Sequence, residues 1–378
     1  VLDRARTASA TFTPLPRHAI AVTSAGRGTG TIVSDPAGID CPTSCTATFP
    51  SDAVVTLTAT AATDGSVFTG FSGACTGTGP CQVSADDARE VIANFAAPST
   101  TKLTLPAASR AYGVASTATV VVTGSSARVP SGTVRLVQGS TVVASGTLAG
   151  GKVVLTIPGS FAVGAHALVA RFDGSGVLDP SSASANLTVN KAIPTVTAKL
   201  VAASVATPSV AKLTVTVAAA GLTPTGTVSV KDAGKVIATG TLVAGKVTIT
   251  LPKTLAVGKH ALVASFAGTT TVAAASSASQ TLTVTKAKAT VRATFAHKSV
   301  TAKAHGKVTV KVSATGLVPS GKVTVKDGTK VIATATLKGG STTITLPLLK
   351  KGSHTLTFSY GGSATVLAAT GKATLKVT

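Results

Sequence analysis

The chain has 378 residues, enough for two to four domains. Aromatic residues make up only 3% of it and Trp and Met are absent, which excludes one large core filled by big side chains. Acids number 12 against 34 Lys and Arg, for a net charge of +22, and Glu occurs once, at Glu90. This balance argues against a helical protein, against paired-carboxylate chemistry and against calcium cages.

Residues 1–14 read as the last strand of a preceding repeat. Asp3-Arg4-Ala5-Arg6 with Phe12 superposes on Asp86-Asp87-Ala88-Arg89 with Phe95 at an offset of 83 residues. That likeness implies a chain that begins inside a repeat of a longer protein. Asp3, Arg4 and Arg6 interrupt any apolar run that could serve as a signal peptide, so secretion would be signalled elsewhere.

Residues 18–96 form a small β-rich module that holds all four cysteines, Cys41, Cys45, Cys75 and Cys81. An even count in a loop-rich module points to disulfides and an oxidising, extracytoplasmic setting. The Cx3C and Cx5C spacings differ from the paired CxxC knuckles of a zinc site. Three connectivities are open; local pairing is favoured, and each such loop would contribute on the order of 2 kcal/mol.

From residue 99 the text repeats three times, over 99–191, 192–286 and 287–378. Pro130-Ser131-Gly132, Pro224-Thr225-Gly226 and Pro319-Ser320-Gly321 match at steps of 94 and 95. Gly164-Ala165-His166, Gly258-Lys259-His260 and Gly352-Ser353-His354 match at steps of 94, and Phe172, Phe266 and Tyr360 each follow six residues after the His. Within each copy the period is two, as in Lys307-Val308-Thr309-Val310-Lys311-Val312. Alternating Val, Ile and Thr suit a pleated, half-buried face, and turn signals such as Lys326-Asp327-Gly328-Thr329 separate the runs. The fold class that follows is all-β: tandem Ig-like β-sandwiches behind a small disulfide-bearing β-rich N-terminal module. Junctions such as Val189 to Pro194 leave few free residues, which predicts a stiff rod spanning on the order of 100 Å over the three repeats.

These motifs resemble known families. Residues 99–378 are similar to the bacterial Ig-like repeats found in tandem on secreted and surface proteins, through the Pro-[Ser/Thr]-Gly-[Thr/Lys]-Val strand start, the Gly-x-His-x-Leu strand and the aromatic that follows it. Residues 18–96 resemble a divergent internalin-type B repeat, through Ile32 to Cys41 and Phe68 to Cys75, with Phe71 where that family often carries Trp. The resemblance implies non-catalytic modules of the cell surface.

Candidate sites are few. The three aligned His lie one per sandwich and cannot converge on one metal. Parity puts His354 on the inward side with Leu356, Phe358 and Tyr360, where a hydrogen-bonded imidazole is expected. His18, His297 and His305 have no acid or Cys at ligand spacing. Asp232 and Asp327 sit in a turn, where Asp caps its own backbone, so an acid orienting a Ser–His pair would have to be Asp173 or Asp179. Gly26, Gly28 and Gly30 precede no helix signature and no Gly-Lys-[Ser/Thr] loop, so no phosphate or other cofactor site is expected. No uncharged stretch reads as a membrane span.

Charge carries the functional signal. Residues 1–98 hold −3 and the three repeats +5, +7 and +13. The last repeat would attract an anionic cell-wall polymer or another polyanion through Lys307, Lys311, Lys322, Lys326, Lys350 and Lys351. Stacking aromatics for specific nucleic-acid binding are missing. The competing reading is that the lysines only keep strands soluble and discourage edge pairing. The function expected is a non-catalytic extracellular stalk or adhesin segment that spaces or displays a distal domain. The alternatives are an accessory tail of a secreted hydrolase and a lysine-rich polyanion-binding module.

Overall fold

A computed structural model describes residues 4, 6–125 and 128–378. It divides into two compact units, Val1–Asn190 and Lys191–Thr378. Every regular element among the described residues is a strand, and no helix is long and apolar enough to cross a membrane.

Arg4 and residues 6–16 form no strand. The segment they match, Arg89–Ala96, is a strand because it is hydrogen-bonded on both sides, by Arg17–Gly26 and by Val67–Gly73. Among the described residues before Arg17 none is paired in this way. Asp3 and Ala5, which carry part of the match, lie outside the described residues.

The N-terminal module packs two four-stranded sheets. One runs in the order Thr46–Pro50, Arg17–Gly26, Arg89–Ala96, Val67–Gly73, and the other Asp40–Cys41, Gly30–Asp35, Val54–Ala61, Cys81–Ser84. Ile20, Ile32, Val55, Leu57, Val91 and Phe95 are buried between them. Phe68 fills the remaining space, with ring centroids 4.8 Å from Phe71 and 5.3 Å from Phe95. Gly26, at φ +92°, lets this sheet close, since a Cβ there would stand 2.1 Å from the Phe95 carbonyl oxygen.

Each repeat pairs a three-stranded sheet with a larger one. In repeat 3 the first holds Ala289–Phe295, Lys307–Ala314 and Ser341–Thr345. The second runs Ser299–Val300, Ala369–Val377, Gly352–Tyr360, Gly321–Asp327, Lys330–Leu337. The period-two text is realised directly: in Lys307–Ala314 the residues Val308, Val310 and Val312 are buried and the residues between them exposed. Each such aliphatic side chain contributes about 1.5–3 kcal/mol on full burial, so a sandwich of small residues can hold without Trp or Met. The first strand of each repeat is split. Its leading piece joins the three-stranded sheet and its second piece pairs in parallel with the last strand, as Ser109–Ala111 does with Thr188 to Asn190.

The repeats share one loop device. In the loop before the last strand a Gly adopts φ of +84°, +81° and +86° at Gly174, Gly268 and Gly362. The next residue's N–H then donates to the carbonyl of Leu178, Val272 or Val366 at 2.8–2.9 Å. Those three apolar residues are buried and plug the end of the core. Ala97, Ala192 and Ala287, at the start of each repeat, are bound to the same loop: Asp179 N–H donates to the Ala97 carbonyl, and Ala192 and Ala287 N–H donate to the Thr271 and Thr365 carbonyls.

The aromatic after the His is the largest side chain in each repeat core. Tyr360 is 1% exposed, yet its hydroxyl reaches the sandwich rim and donates to the Ser320 carbonyl at 2.8 Å. Phe172 and Phe266 occupy this place without a hydroxyl. Tyr360→Phe is expected to destabilise repeat 3 by about 1 kcal/mol, read as a lower denaturant midpoint for that repeat alone.

Candidate functional site

Three sets of side chains carry chemistry beyond the core. The first joins the N-terminal module to repeat 1 inside the first unit. Arg128, in the loop before Thr133–Gln138, has a side chain only 9% exposed. Its guanidinium donates to Asp64 Oδ2 at 2.5 Å, to Ser66 Oγ at 3.1 Å, and to the carbonyls of Arg27 and Val177 at 2.9 and 2.7 Å. Arg27 donates to Asp179 Oδ1 at 3.3 Å, and Asp179 Oδ2 accepts the Ala97 N–H at 2.7 Å. One fork of donors thus clamps both modules, a task suited to the planar guanidinium and not to a Lys point charge. The Ser66 hydroxyl, with Arg128, Ser66 N–H and Thr29, holds the Asp64 carboxyl far below the usual carboxylate range. The cluster is invisible to motif reading, because its two ion pairs join residues 64 and 152 apart in the chain. A signal does exist: repeat 1 carries four Arg where repeat 2 has none, and it follows the acidic module.

The second set is the aligned His, and here the structure corrects the sequence reading. Asp232 and Asp327 do not simply cap their turn. Asp232 Oδ2 lies 2.7 Å from His260 Nδ1, and Asp327 Oδ2 lies 2.6 Å from His354 Nδ1. Asp173 and Asp179 are instead held by Arg135 and Arg27. The other ring nitrogen of each His faces a main-chain carbonyl four residues earlier, Ala256 at 2.8 Å and Lys350 at 2.7 Å. Each imidazole therefore ties a hairpin end to the loop before its own strand. Because both partners are acceptors, both ring nitrogens are called on to donate, and the charged form is favoured. The pKa of each His is raised, first by the carbonyl contact and then by the Asp. In repeat 1 the same position holds the neutral Gln138, whose Oε1 is 3.2 Å from His166 Nδ1, with Ala162 O on the other side at 2.8 Å. Among the described residues no Ser hydroxyl is hydrogen-bonded to these rings, and the Nε2 that a triad would aim at a nucleophile faces a backbone carbonyl. Among the described residues no group of three His, Cys, Asp or Glu could hold a metal ion.

The third set is the cysteines and lysines. Cys41 bonds Cys45 and Cys75 bonds Cys81, with Cα separations of 4.8 and 6.0 Å. Cys41 and Cys81 are buried against the module core. The six lysines singled out in repeat 3 do not form one patch. Lys307 and Lys311 project from the three-stranded sheet and Lys322 and Lys326 from the other, while Lys350 and Lys351 lie in the loop that holds His354.

Two measurements check this geometry. In an imidazole NMR titration His260 and His354 should titrate above the ordinary 6.5, and Asp232→Asn and Asp327→Asn should each lower the value of their own His. The sign follows from linkage. Stability from the charged imidazole is complete below 6.5 and is lost as pH rises through the raised folded value. Asp64→Ala should leave both modules folded but free their joint, read as faster cleavage of residues 96–99 by a protease. Cleavage at the parent rate would show that Arg128 does not hold the joint through this carboxylate.

Comparison with known proteins follows this architecture. The sequence profile of the bacterial Ig-like domain (group 3) family matches residues 103–190, 197–285 and 293–378, and residues 18–96 lie outside it. No curated protein matches the chain in sequence. Among solved structures the chain is similar to the Ca2+-stabilised adhesin with which an Antarctic bacterium reaches out and binds ice, at 12% identity and a TM-score of 0.31, over 97% of this chain and 100% of that one. It is similar to the Escherichia coli adhesin FdeC at 16% identity and 0.26, over 75% and 96%, and to the titin I-band fragment I67–I69 at 17% and 0.31, over 75% and 99%. Three successive profile matches span more than half of the residues, and the chain belongs to the bacterial Ig-like domain (group 3) family.

Proposed function

We propose that this chain is a load-bearing, non-catalytic spacer segment of a bacterial surface or secreted protein, which holds a distal domain away from the envelope. The observation that carries the reading is how the first and last strands of every domain pair. In the N-terminal module Ile20 to Gly26 run parallel to Arg89 to Phe95 over seven residue pairs. In repeats 1, 2 and 3 the parallel ladders hold three, three and two pairs. A domain so built is entered at one end and left at the other. Pulling on its two termini slides these strands past each other, so the ladder bonds share the load in shear instead of opening one at a time.

The joints within each unit support the same reading. Strand Arg89–Ala96 is followed at once by the docked Ala97, and a single residue, Lys286, separates strand Gln280–Thr285 from the docked Ala287. The disulfides favour an oxidising, extracytoplasmic setting. Residues 18–96 are read as a divergent internalin-type B repeat that serves as one more link.

A single-molecule force ramp on the whole chain tests this. Each repeat should yield as one step, releasing about 300 Å of chain. Repeat 3, with the shortest parallel ladder, should yield first and the N-terminal module last. Gradual extension at low force, without discrete steps, would overturn the load-bearing role.

A further inference from the structure

Repeat 3 carries a stripe of lysines that its fold does not require. On the outer face of its larger sheet lie Lys322 and Lys326 of strand Gly321–Asp327, and Lys372 and Lys376 of strand Ala369–Val377. Register places Lys326 opposite Thr357, and Thr357 opposite Lys372. Lys326 and Lys372 therefore lie two strand spacings apart, about 10 Å. Lys322 extends the line one way along the strands and Lys376 the other. The four make an oblique stripe about 28 Å long, from eight residues of rise and two strand spacings. Its floor is hydroxyl-bearing: Thr324, Thr355, Thr357, Ser359, Thr370 and Thr374 share the outward parity. The one acid of the repeat, Asp327, is taken by His354.

Two comparisons inside the chain show that this stripe is not a by-product of the fold. The places of Lys322, Lys326 and Lys376 are held by Thr227, Lys231 and Thr283 in repeat 2, and the four places by Thr133, Val137, Ser184 and Thr188 in repeat 1, so the sandwich forms with one lysine there or with none. Nor is the stripe confined to a sheet edge: Lys322 and Lys326 lie on a strand paired on both sides and Lys376 stands opposite Ser299, while Lys372 lies on the stretch of its strand that Ser299–Val300 does not reach. Like charges about 10 Å apart, near one screening length at 0.1 M salt, oppose folding slightly and leave a field that a polyanion would neutralise.

We propose that this stripe binds a linear phosphodiester-linked polyol of the bacterial cell wall, laid along the strands of repeat 3. Lys322, Lys326, Lys372 and Lys376 would neutralise successive phosphates while the Thr and Ser hydroxyls donate to their free oxygens. The aromatic side chains of these strands, Phe358 and Tyr360, are buried in the core, so the face offers no ring on which a nucleic-acid base or a sugar ring could stack. Lysine ammonium groups suit a flexible chain of point charges rather than a fixed planar fork. The inference goes beyond the spacer role, which stands or falls on mechanics alone.

The test is binding of the whole 378-residue chain to poly(glycerol phosphate) long enough to cover the stripe. Two variants that lose the same charge are compared: K322Q/K326Q/K372Q/K376Q on the stripe, and K288Q/R292Q/K307Q/K311Q on and beside the opposite sheet. The stripe variant should lose at least about tenfold in affinity at low salt and flatten the salt dependence, while the control stays within about threefold. The half-variants K322Q/K326Q and K372Q/K376Q, which perturb folding less, should each show an intermediate loss. Equal losses in stripe and control variants would reduce the effect to net charge and overturn the site. Undetectable binding of the parent chain at low salt, or equally tight binding of single-stranded DNA of matched charge or of anionic lipid vesicles, would overturn the choice of polymer.

Discussion

In every domain of this chain the last strand lies beside the first and runs the same way. Parallel neighbours cannot be joined by a tight turn, so the whole domain must be threaded between them. That closes each sandwich around its own core and puts its two ends at opposite poles. A module with its termini at opposite poles can be strung in tandem, and tension between those poles meets a hydrogen-bond ladder in shear. The docked alanines and their Gly-headed loops continue the same logic, because they fix where the chain enters each repeat before the first strand begins.

Scarcity of acids gives the polar interactions their meaning. The three repeats contain four acidic residues, and each is engaged: Asp173 by Arg135, Asp179 by Arg27, Asp232 by His260 and Asp327 by His354. Each bond ties together segments far apart in sequence. The half-buried ones combine charge with several hydrogen bonds, which makes such pairs more than the weak surface ion pairs typical of exposed Lys and Asp. Because the acids are used in this way, the many lysines of repeat 3 are left without partners in the domain, and its surface field stays strongly positive.

Sequence variation among the repeats acts as an internal control. At the hairpin end the change from Gln138 to Asp232 and Asp327 keeps the hydrogen bond and adds a charge. At the core aromatic the change from Phe172 and Phe266 to Tyr360 keeps the packing and adds a rim contact. On the outer sheet face Lys stands in repeat 3 where repeat 1 carries Thr133, Val137, Ser184 and Thr188, and the strands form in both. The core tolerates little variation because buried volume must be conserved, while an outward position has no such constraint.

The sequence alone determined the alternating strands of the three repeats and their inward faces. Alternation of Val and Ile with Thr and Lys is local, and so are the Pro-x-Gly and Asp-Gly turns, so each is legible within a few residues. The inward place of His354 was legible by the same parity. Its partner was not: Asp327 reads locally as a turn residue, and only the pairing of Gly321–Asp327 with Gly352–Tyr360 brings the carboxylate to the ring. The same limit hid the Arg128–Asp64 joint and set the grouping of the lysines, where Lys326 and Lys372 share a face while Lys307 and Lys311 turn away from it. Spacing along one strand is a property of the chain, but adjacency across strands depends on register and sheet order, which are set by how whole sandwiches close.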